Sequence, residues 1–244
     1  MNLIRAIMHP LNPLVIIPAR MASTRLPNKP MANIHGTPMI VHAWRCAMHA
    51  NVGPVVVACD HHDIKTAIES VGGKAVLTSS HHSNGSDRIH EAASIIDPNE
   101  QHSVIINIQG DMPLFPSHVI SLLMTPFEDA NIDITTLMQP HTRNASKVRA
   151  YTHPLPKHPW HICHDFQRRT MEYTHLGFYA YRRSALSRYV TLPPTHNEQD
   201  RSLEQMRALD HGMTIASMAV DEDSVFLTVD TPADLTWAIE TLAP

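Results

Sequence analysis

Three cations, Arg20, Arg25 and Lys29, stand within ten residues of a chain whose formal net charge is −4. Small Ala19, Ala22 and Ser23 lie among them, and Pro27 and Pro30 argue against one regular helix. A loop with this much positive charge and so little side-chain bulk suits a polyanion such as a triphosphate. Two carboxylates could answer it. Asp111 follows Gln109-Gly110, and Asp230 stands just before Thr231-Pro232. Each ends an apolar run, and two carboxylates with phosphate oxygens and waters are what Mg²⁺ usually takes. For Asp230 a place beside a helix cap is the rival reading. Gly85-Ser86-Asp87-Arg88 opens a helix after a polar loop, where free N–H groups could hold a base or ribose edge. Plain capping by Ser86 is the simpler account of it.

These groups need elements to position them. Leu14, Val15, Ile16 and Ile17 predict a strand buried on both faces, stopped by Pro18. The cationic loop then leaves the end of that strand, which is where open α/β sheets bind ligands. Thr37-Pro38 predicts a helix start, with proline in the first helical position and the helix running over 39–50. Strands follow over 55–59, 74–77 and 104–108, alternating with helices over 62–70 and 86–96. Short apolar strands alternating with helices indicate an α/β fold, a mostly parallel sheet with helices on both faces. The second half is less regular. Strands are expected over 134–138, 175–181 and 225–229, and a helix over 202–211 with Leu203, Met206 and Leu209 aligned. Residues 148–160 show no period. Thr231, Pro232 and Asp234 form a capped helix start.

At 244 residues the chain has room for one large α/β domain or two small ones, and no repeat or low-complexity linker divides it. The reading is a tail over 1–13 and a single domain over 14–244, with a nucleotide half to about residue 140 and an acceptor half after it. No apolar run approaches the length that spans a membrane. The tail lacks the marks of a signal peptide, and Met8 could equally be the start. Cys46, Cys59 and Cys163 are odd in number and widely spaced, which points away from a disulfide framework and towards a reducing cytoplasm. Among nineteen histidines, the pairs His61-His62 and His81-His82 have no third ligand at zinc spacing and read as solvated loop positions. No G-x-G-x-x-G follows the first strand, which disfavours a dinucleotide-dependent oxidoreductase. Small-molecule partners are expected, with neither nucleic acid nor membrane insertion.

Taken in order, the motifs resemble the 3-deoxy-manno-octulosonate (Kdo) cytidylyltransferases. They are Ile17-Pro18-Ala19-Arg20, Ser23-Thr24-Arg25-Leu26-Pro27, Lys29-Pro30, Gly36-Thr37-Pro38-Met39-Ile40, Gly85-Ser86-Asp87-Arg88-Ile89, Gln109-Gly110-Asp111 with Pro113, His175-Leu176-Gly177-Phe178-Tyr179, Leu203-Glu204-Gln205-Met206-Arg207 and Val229-Asp230-Thr231-Pro232. The resemblance covers about residues 14–145 and 172–240, and the conjunction is far more specific than any one motif. It implies a Rossmann-like nucleotidyltransferase fold with a small acceptor and dimerisation lobe. The activity implied is transfer of cytidine monophosphate (CMP) from CTP to Kdo for lipopolysaccharide synthesis, in a magnesium-dependent homodimer. Arg20, Lys29 and Asp111 would be catalytic. Arg20, Arg25 and Lys29 would hold the triphosphate, with Ser86, Arg88 and Gln109 near the nucleotide. His175, Tyr179, Glu204 and Gln205 would lie near the sugar acid, and Asp111 and Asp230 would hold the metal.

Two departures stand out. Met112 replaces an acidic residue that commonly follows the Gln-Gly-Asp aspartate in this family. Between Val148 and His175 the chain is shorter than in relatives, and Phe166-Gln167-Arg168-Arg169 is closest to their aromatic-Ser-Arg stretch. With Pro154, Pro156 and Pro159 in that segment, a long regular strand is not expected there. A short, stiff arm would raise the KM for Kdo and weaken pairing. An 8-amino sugar acid as acceptor, or a nucleotide-binding pseudoenzyme, are the alternatives these departures motivate.

Overall fold

The structure is a computed structural model that describes residues 11–82, 84–140, 148–168 and 173–243. The proposed tail with Met8, as far as Pro10, and Arg169 of the arm lie outside the described residues. Strand β1 (Pro13–Ala19) is central among the strands of the first half. A 3₁₀ turn over Lys29–Met31 and a small hairpin, β2 (Asn33–Ile34) with β3 (Thr37–Pro38), lead into helix α1 (Met39–His49). Then come β4 (Val55–Cys59), α2 (His62–Glu69), β5 (Lys74–Leu77), α3 (Gly85–Ile96) and β6 (Val104–Asn107). Strands β5, β4, β1 and β6 pair in parallel in that order, as their unbroken apolar sequences imply. Helices α1 and α2 pack on one face through Ile40, Ala47, Ile64 and Ile68, and α3 covers the other through Ile89, Ala92 and Ala93.

The remaining strands continue the same sheet. After the short helix α4 (Val119–Leu122) come β7 (Ile134–Pro140), β8 (Arg149–Pro154), β9 (Trp160–Gln167) and β10 (Tyr173–Arg182). Helices α5 (Arg183–Thr191), α6 (His196–Arg201) and α7 (Gln205–Asp210), strand β11 (Ile215–Ala219) and helix α8 (Pro232–Thr241) complete the chain. The order is β5-β4-β1-β6-β10-β7-β11-β9-β8, and antiparallel pairing takes over at β10. The start of β10 also pairs with β8, at Tyr173↔Ala150 and Thr174↔Arg149, so the last five strands close on themselves. The mostly parallel order expected is complete in the first half, and in the second half β7 and β11 also pair in parallel.

Several local expectations are corrected. Pro18 does not stop β1: it pairs with Ala58, and Ala19 with Cys59. The Ile16 carbonyl accepts from Ile108 on the β6 side, so Pro18, two residues on, faces that side too. The β6 ladder has ended there at Ile16↔Asn107, and no partner requires the N–H that proline lacks. Pro38 ends β3 and precedes α1 instead of opening it. Asn84, not Ser86, caps α3, accepting from the Asp87 N–H at 2.8 Å. The arm is a hairpin: Pro154 ends β8 on an edge that tolerates it, and Pro156 and Pro159 lie in the turn before β9.

The helix expected over 202–211 covers only Gln205–Asp210, the range of α7. Ser202, in the left-handed region at φ 53°, separates α6 from α7. Residues 225–229 are no strand; Leu227 makes a single bridge to Leu114. Strand β11 was not expected at all. Its Ala, Ser and Met residues carry little strand preference, and its place between β7 and β9 decides the matter.

Candidate active site

Beyond the ends of β1 and β6 lies a cavity of about 620 Å³. One wall is the cationic loop, with Arg20, Arg25 and Lys29; the other carries Asn84, Gly85 and Arg88 from the start of α3. Gln109, Gly110, Asp111 and Asp230 close it off. Gly110 is required by the protein itself and not by a ligand. A Cβ there would meet the Pro18 carbonyl oxygen at 2.8 Å and Ile40 Cδ1 at 3.1 Å, so only glycine lets the end of β6 turn this close to β1.

Asp230 reaches the cavity through backbone bonding. The Val229 N–H donates to the Asp111 carbonyl at 2.9 Å, beside the Leu114–Leu227 bridge. Capping of α8 does not occupy Asp230: Thr231 accepts from the Asp234 N–H, and the Asp234 carboxylate accepts from Thr231 N–H in return. The Asp230 carboxylate is left to face the cations. Lys29 Nζ donates to Asp111 Oδ2 at 2.6 Å and to Asp230 Oδ1 at 3.1 Å, and Arg25 donates to the same Asp230 oxygen at 2.9 Å. Burial works to lower the pKa of Lys29, but the Asp111 and Asp230 carboxylates outweigh it and hold the pKa above its ordinary value. The Arg25–Asp230 pair is more exposed than the Lys29–Asp111 pair, and such a pair contributes only about 0.2–1 kcal/mol, so a phosphate can readily exchange for it.

Asp60 is a residue that sequence reasoning passed over. At the end of β4 its Oδ1 accepts the Met21 N–H at 2.8 Å, immediately after Arg20. Its Oδ2 lies 3.5 Å from the buried Arg88 guanidinium, which also donates to Thr78 Oγ1 at 2.6 Å. One carboxylate thus ties the cationic loop to the opposite cavity wall. Its position at the end of an apolar strand, like that of Asp111, was the available signal. His82 also lines the cavity, with its Nε2 on the Glu91 carboxylate.

The other expected residues lie behind this wall. Ser86 is fully buried and outside the cavity lining; its hydroxyl contacts Tyr181 OH at 3.2 Å and donates to Glu204 Oε2 at 3.3 Å. It stands with Tyr181 and Glu204, behind the cavity wall. Burial pushes the Glu204 carboxyl up to about 7, against the Ser86 hydrogen bond and the nearby Arg207 guanidinium. Glu204 opens on a second hollow of about 370 Å³, together with Glu198, Ser202 and Arg207. Asn84 lines both hollows.

His175 is buried, its Nε2 at 2.9 Å from Thr136 Oγ1, and burial brings its pKa down to about 4. Its ring lies 5.2 Å from that of Tyr179, across a bulge in β10 where Gly177 adopts φ 76°. The bulge turns the Gly177 carbonyl to the Gln109 side-chain amide at 3.0 Å, which links β10 to the cavity wall. Gln205 is buried as well. Met112 is 2% exposed and packs in the apolar core instead of lining the cavity.

A cationic loop opposite paired carboxylates, at the open end of a parallel sheet with no glycine-rich dinucleotide turn, defines a nucleotidyltransferase. The family model described as cytidylyltransferase matches residues 14–215. The 3-deoxy-manno-octulosonate cytidylyltransferase of Methylorubrum populi is 44% identical over 249 residues, covering 95% of this chain and 97% of its own. The protein of that name from Bradyrhizobium diazoefficiens is 46% identical over 233 residues, covering 91% and 94%. Among solved structures, CMP:2-keto-3-deoxy-manno-octonic acid synthetase complexed with CTP superposes with a TM-score of 0.85 at 30% identity, over 95% of this chain and 98% of that one. The chain belongs to the 3-deoxy-manno-octulosonate cytidylyltransferase family.

Proposed function

We infer that this protein transfers CMP from CTP to Kdo, giving CMP-Kdo and pyrophosphate and activating the sugar for lipopolysaccharide biosynthesis. The observation that carries this reading is the convergence of Asp111 and Asp230 on Lys29 inside a cavity whose wall holds two further arginines. Arg20, Arg25 and Lys29 receive the triphosphate and hold it in line for attack. Arg88 and Gln109 contact the nucleoside side. An oxygen–phosphorus bond forms from the anomeric hydroxyl of Kdo to the α-phosphorus, and the bond to the departing pyrophosphate breaks. Lys29 and the arginines stabilise the charge that collects on that leaving group; positioning and electrostatics carry most of the acceleration.

Two carboxylate oxygens reaching one ammonium, from the turn after β6 and from the residue before the α8 cap, also fit Mg²⁺, which is commonly bound by one or two carboxylates plus substrate phosphates. Asp111 and Asp230 would hold it, and it would supply polarisation of the phosphoryl oxygens. Among the described residues no three His, Cys, Asp or Glu side chains gather, so phosphates and water complete the shell in this reading.

The second hollow, with Glu204 at its edge and Asn84 shared with the first, suits the sugar acid; His175, Tyr179 and Gln205 are buried and do not line it. No described helix is long and apolar enough to cross a membrane. Free Cys46, Cys59 and Cys163 and a nucleoside triphosphate substrate go with a cytoplasmic site of action. The hairpin β8–β9 is our candidate for the homodimer contact, and its short turn supports a dimer whose sedimentation shifts with concentration. The 8-amino acceptor and the pseudoenzyme are less favoured, because the relatives carry the Kdo name and Met112 is a core residue here. Pyrophosphate release with CTP and a panel of sugar acids tests the proposal. Turnover on Kdo supports it, and no turnover on any sugar acid overturns it.

A further inference from the structure

Lys29 bridges the two carboxylates that the proposed function gives to the metal ion. Its ammonium is 2.6 Å from Asp111 Oδ2 and 3.1 Å from Asp230 Oδ1, and the Arg25 guanidinium is 2.9 Å from that second oxygen. A divalent cation bound by both oxygens, at the roughly 2.0–2.1 Å that Mg²⁺ demands, would share the ammonium's place. Two cations cannot occupy it together. We propose that Lys29 is the counter-ion of the Asp111–Asp230 pair until nucleotide arrives, so that the divalent cation enters only as its complex with a nucleoside triphosphate. The proposal rests on the reading above that these two aspartates are the metal ligands.

The surroundings give Lys29 a second place to go. Its backbone opens the 3₁₀ turn ahead of buried Pro30, and Asn28 before it is held at φ 54°. Exchange therefore needs only the flexible four-carbon stem to move. Without a polyanion nearby, displacing Lys29 leaves an ammonium facing Arg20 and Arg25 with no compensating charge. A triphosphate supplies that charge on the loop side of the cavity. It draws Lys29 and Arg25 from the carboxylates as it delivers the metal to them. Nucleotide and metal then assist each other's binding, and by linkage the coupling is reciprocal.

The test is Mn²⁺ binding to the nucleotide-free protein, followed by electron paramagnetic resonance. Lys29→Met should bind Mn²⁺ about tenfold or more tightly than the unaltered protein, in the range of ordinary coupling between sites. Adding Asp111→Asn to that variant should remove the gain. Equal or weaker binding by Lys29→Met overturns the proposal. A second measurement needs no variant: Mg²⁺ alone should leave the unfolding midpoint unchanged at a concentration where Mg²⁺ with α,β-methylene-CTP raises it beyond the analogue alone. A rise with Mg²⁺ alone overturns the proposal even if Lys29→Met fails to fold. Tight Mn²⁺ on the nucleotide-free protein that Asp111→Asn abolishes would sink this inference and leave the metal ligands in place. Mn²⁺ binding indifferent to Asp111→Asn, with the analogue present, would sink both.

Discussion

The two hollows that meet at Asn84 handle charge in opposite ways. On the nucleotide side, full charges stand part-exposed and neutralise one another in ion pairs that a polyanion can exchange, Arg25 with Asp230 and Lys29 with both aspartates. On the other side the ion pair of Arg207 with Glu198 is fixed and largely buried, while burial pushes the Glu204 carboxyl up to about 7 and the His175 imidazole down to about 4. A highly charged triphosphate with its metal needs strong, movable counter-charges. A small polyhydroxylated acid needs a fixed, largely desolvated set of hydrogen-bonding groups, which discriminate well because leaving one unpaired is costly.

The largest test of this contrast is at the carboxylates. Asp111→Asn and Asp230→Asn should each lower turnover by roughly 10²-fold or more, and the double variant should cost far less than the product, as the proposal that both serve one ion requires. Fully multiplicative losses would show that the two do not act as a unit. Next, Lys29→Ala should lower kcat much more than it weakens CTP binding, because its charge matters most as the phosphates separate. An unchanged kcat with only a raised KM for CTP would contradict that role.

A smaller effect is expected at Asp60. Asp60→Asn keeps an acceptor for the Met21 N–H but loses the charge facing Arg88. It should raise the KM for CTP by about tenfold with kcat nearly kept, as removal of ground-state positioning does. Asp60→Ala, which loses both contacts, should be worse, and equal effects of the two variants would dismiss the tie between the walls.

The smallest effect is on stability, of order 1–3 kcal/mol. Folded Glu204 keeps its proton between its ordinary 4.5 and about 7, so its contribution is lost as pH rises through that window. Folded His175 stays neutral between about 4 and 6.5 while the unfolded chain takes up a proton, so its contribution is lost as pH falls through that window. The two slopes oppose each other where the windows overlap. Denaturant unfolding across pH 4.5–6.5 should show Glu204→Gln gaining stability with rising pH and His175→Gln losing it. Parallel profiles would mean that neither group is desolvated as the fold implies.

The parallel strands, the cationic loop and the candidate carboxylates were legible in the chain because each is a local pattern. Four or five apolar residues bounded by turn signals predicted the buried strands at 14–17, 55–59 and 104–107, though the same pattern over 225–229 made none, and three cations among small residues and prolines carry their meaning in their spacing. Pairing across the chain was not legible. That Val229 bonds Asp111 and so brings Asp230 to Lys29, or that β11 forms from Ile215–Ala219 between β7 and β9, depends on partners far off in sequence. The same holds for Ser86, whose small polar side chain reads as a cap or a ligand contact. Only the tertiary fold, which brings Tyr181 of β10 and Glu204 to the start of α3, places it against those two groups. Residue type sets what a group can do; burial and distance, which belong to the folded chain, decide which of those things it does.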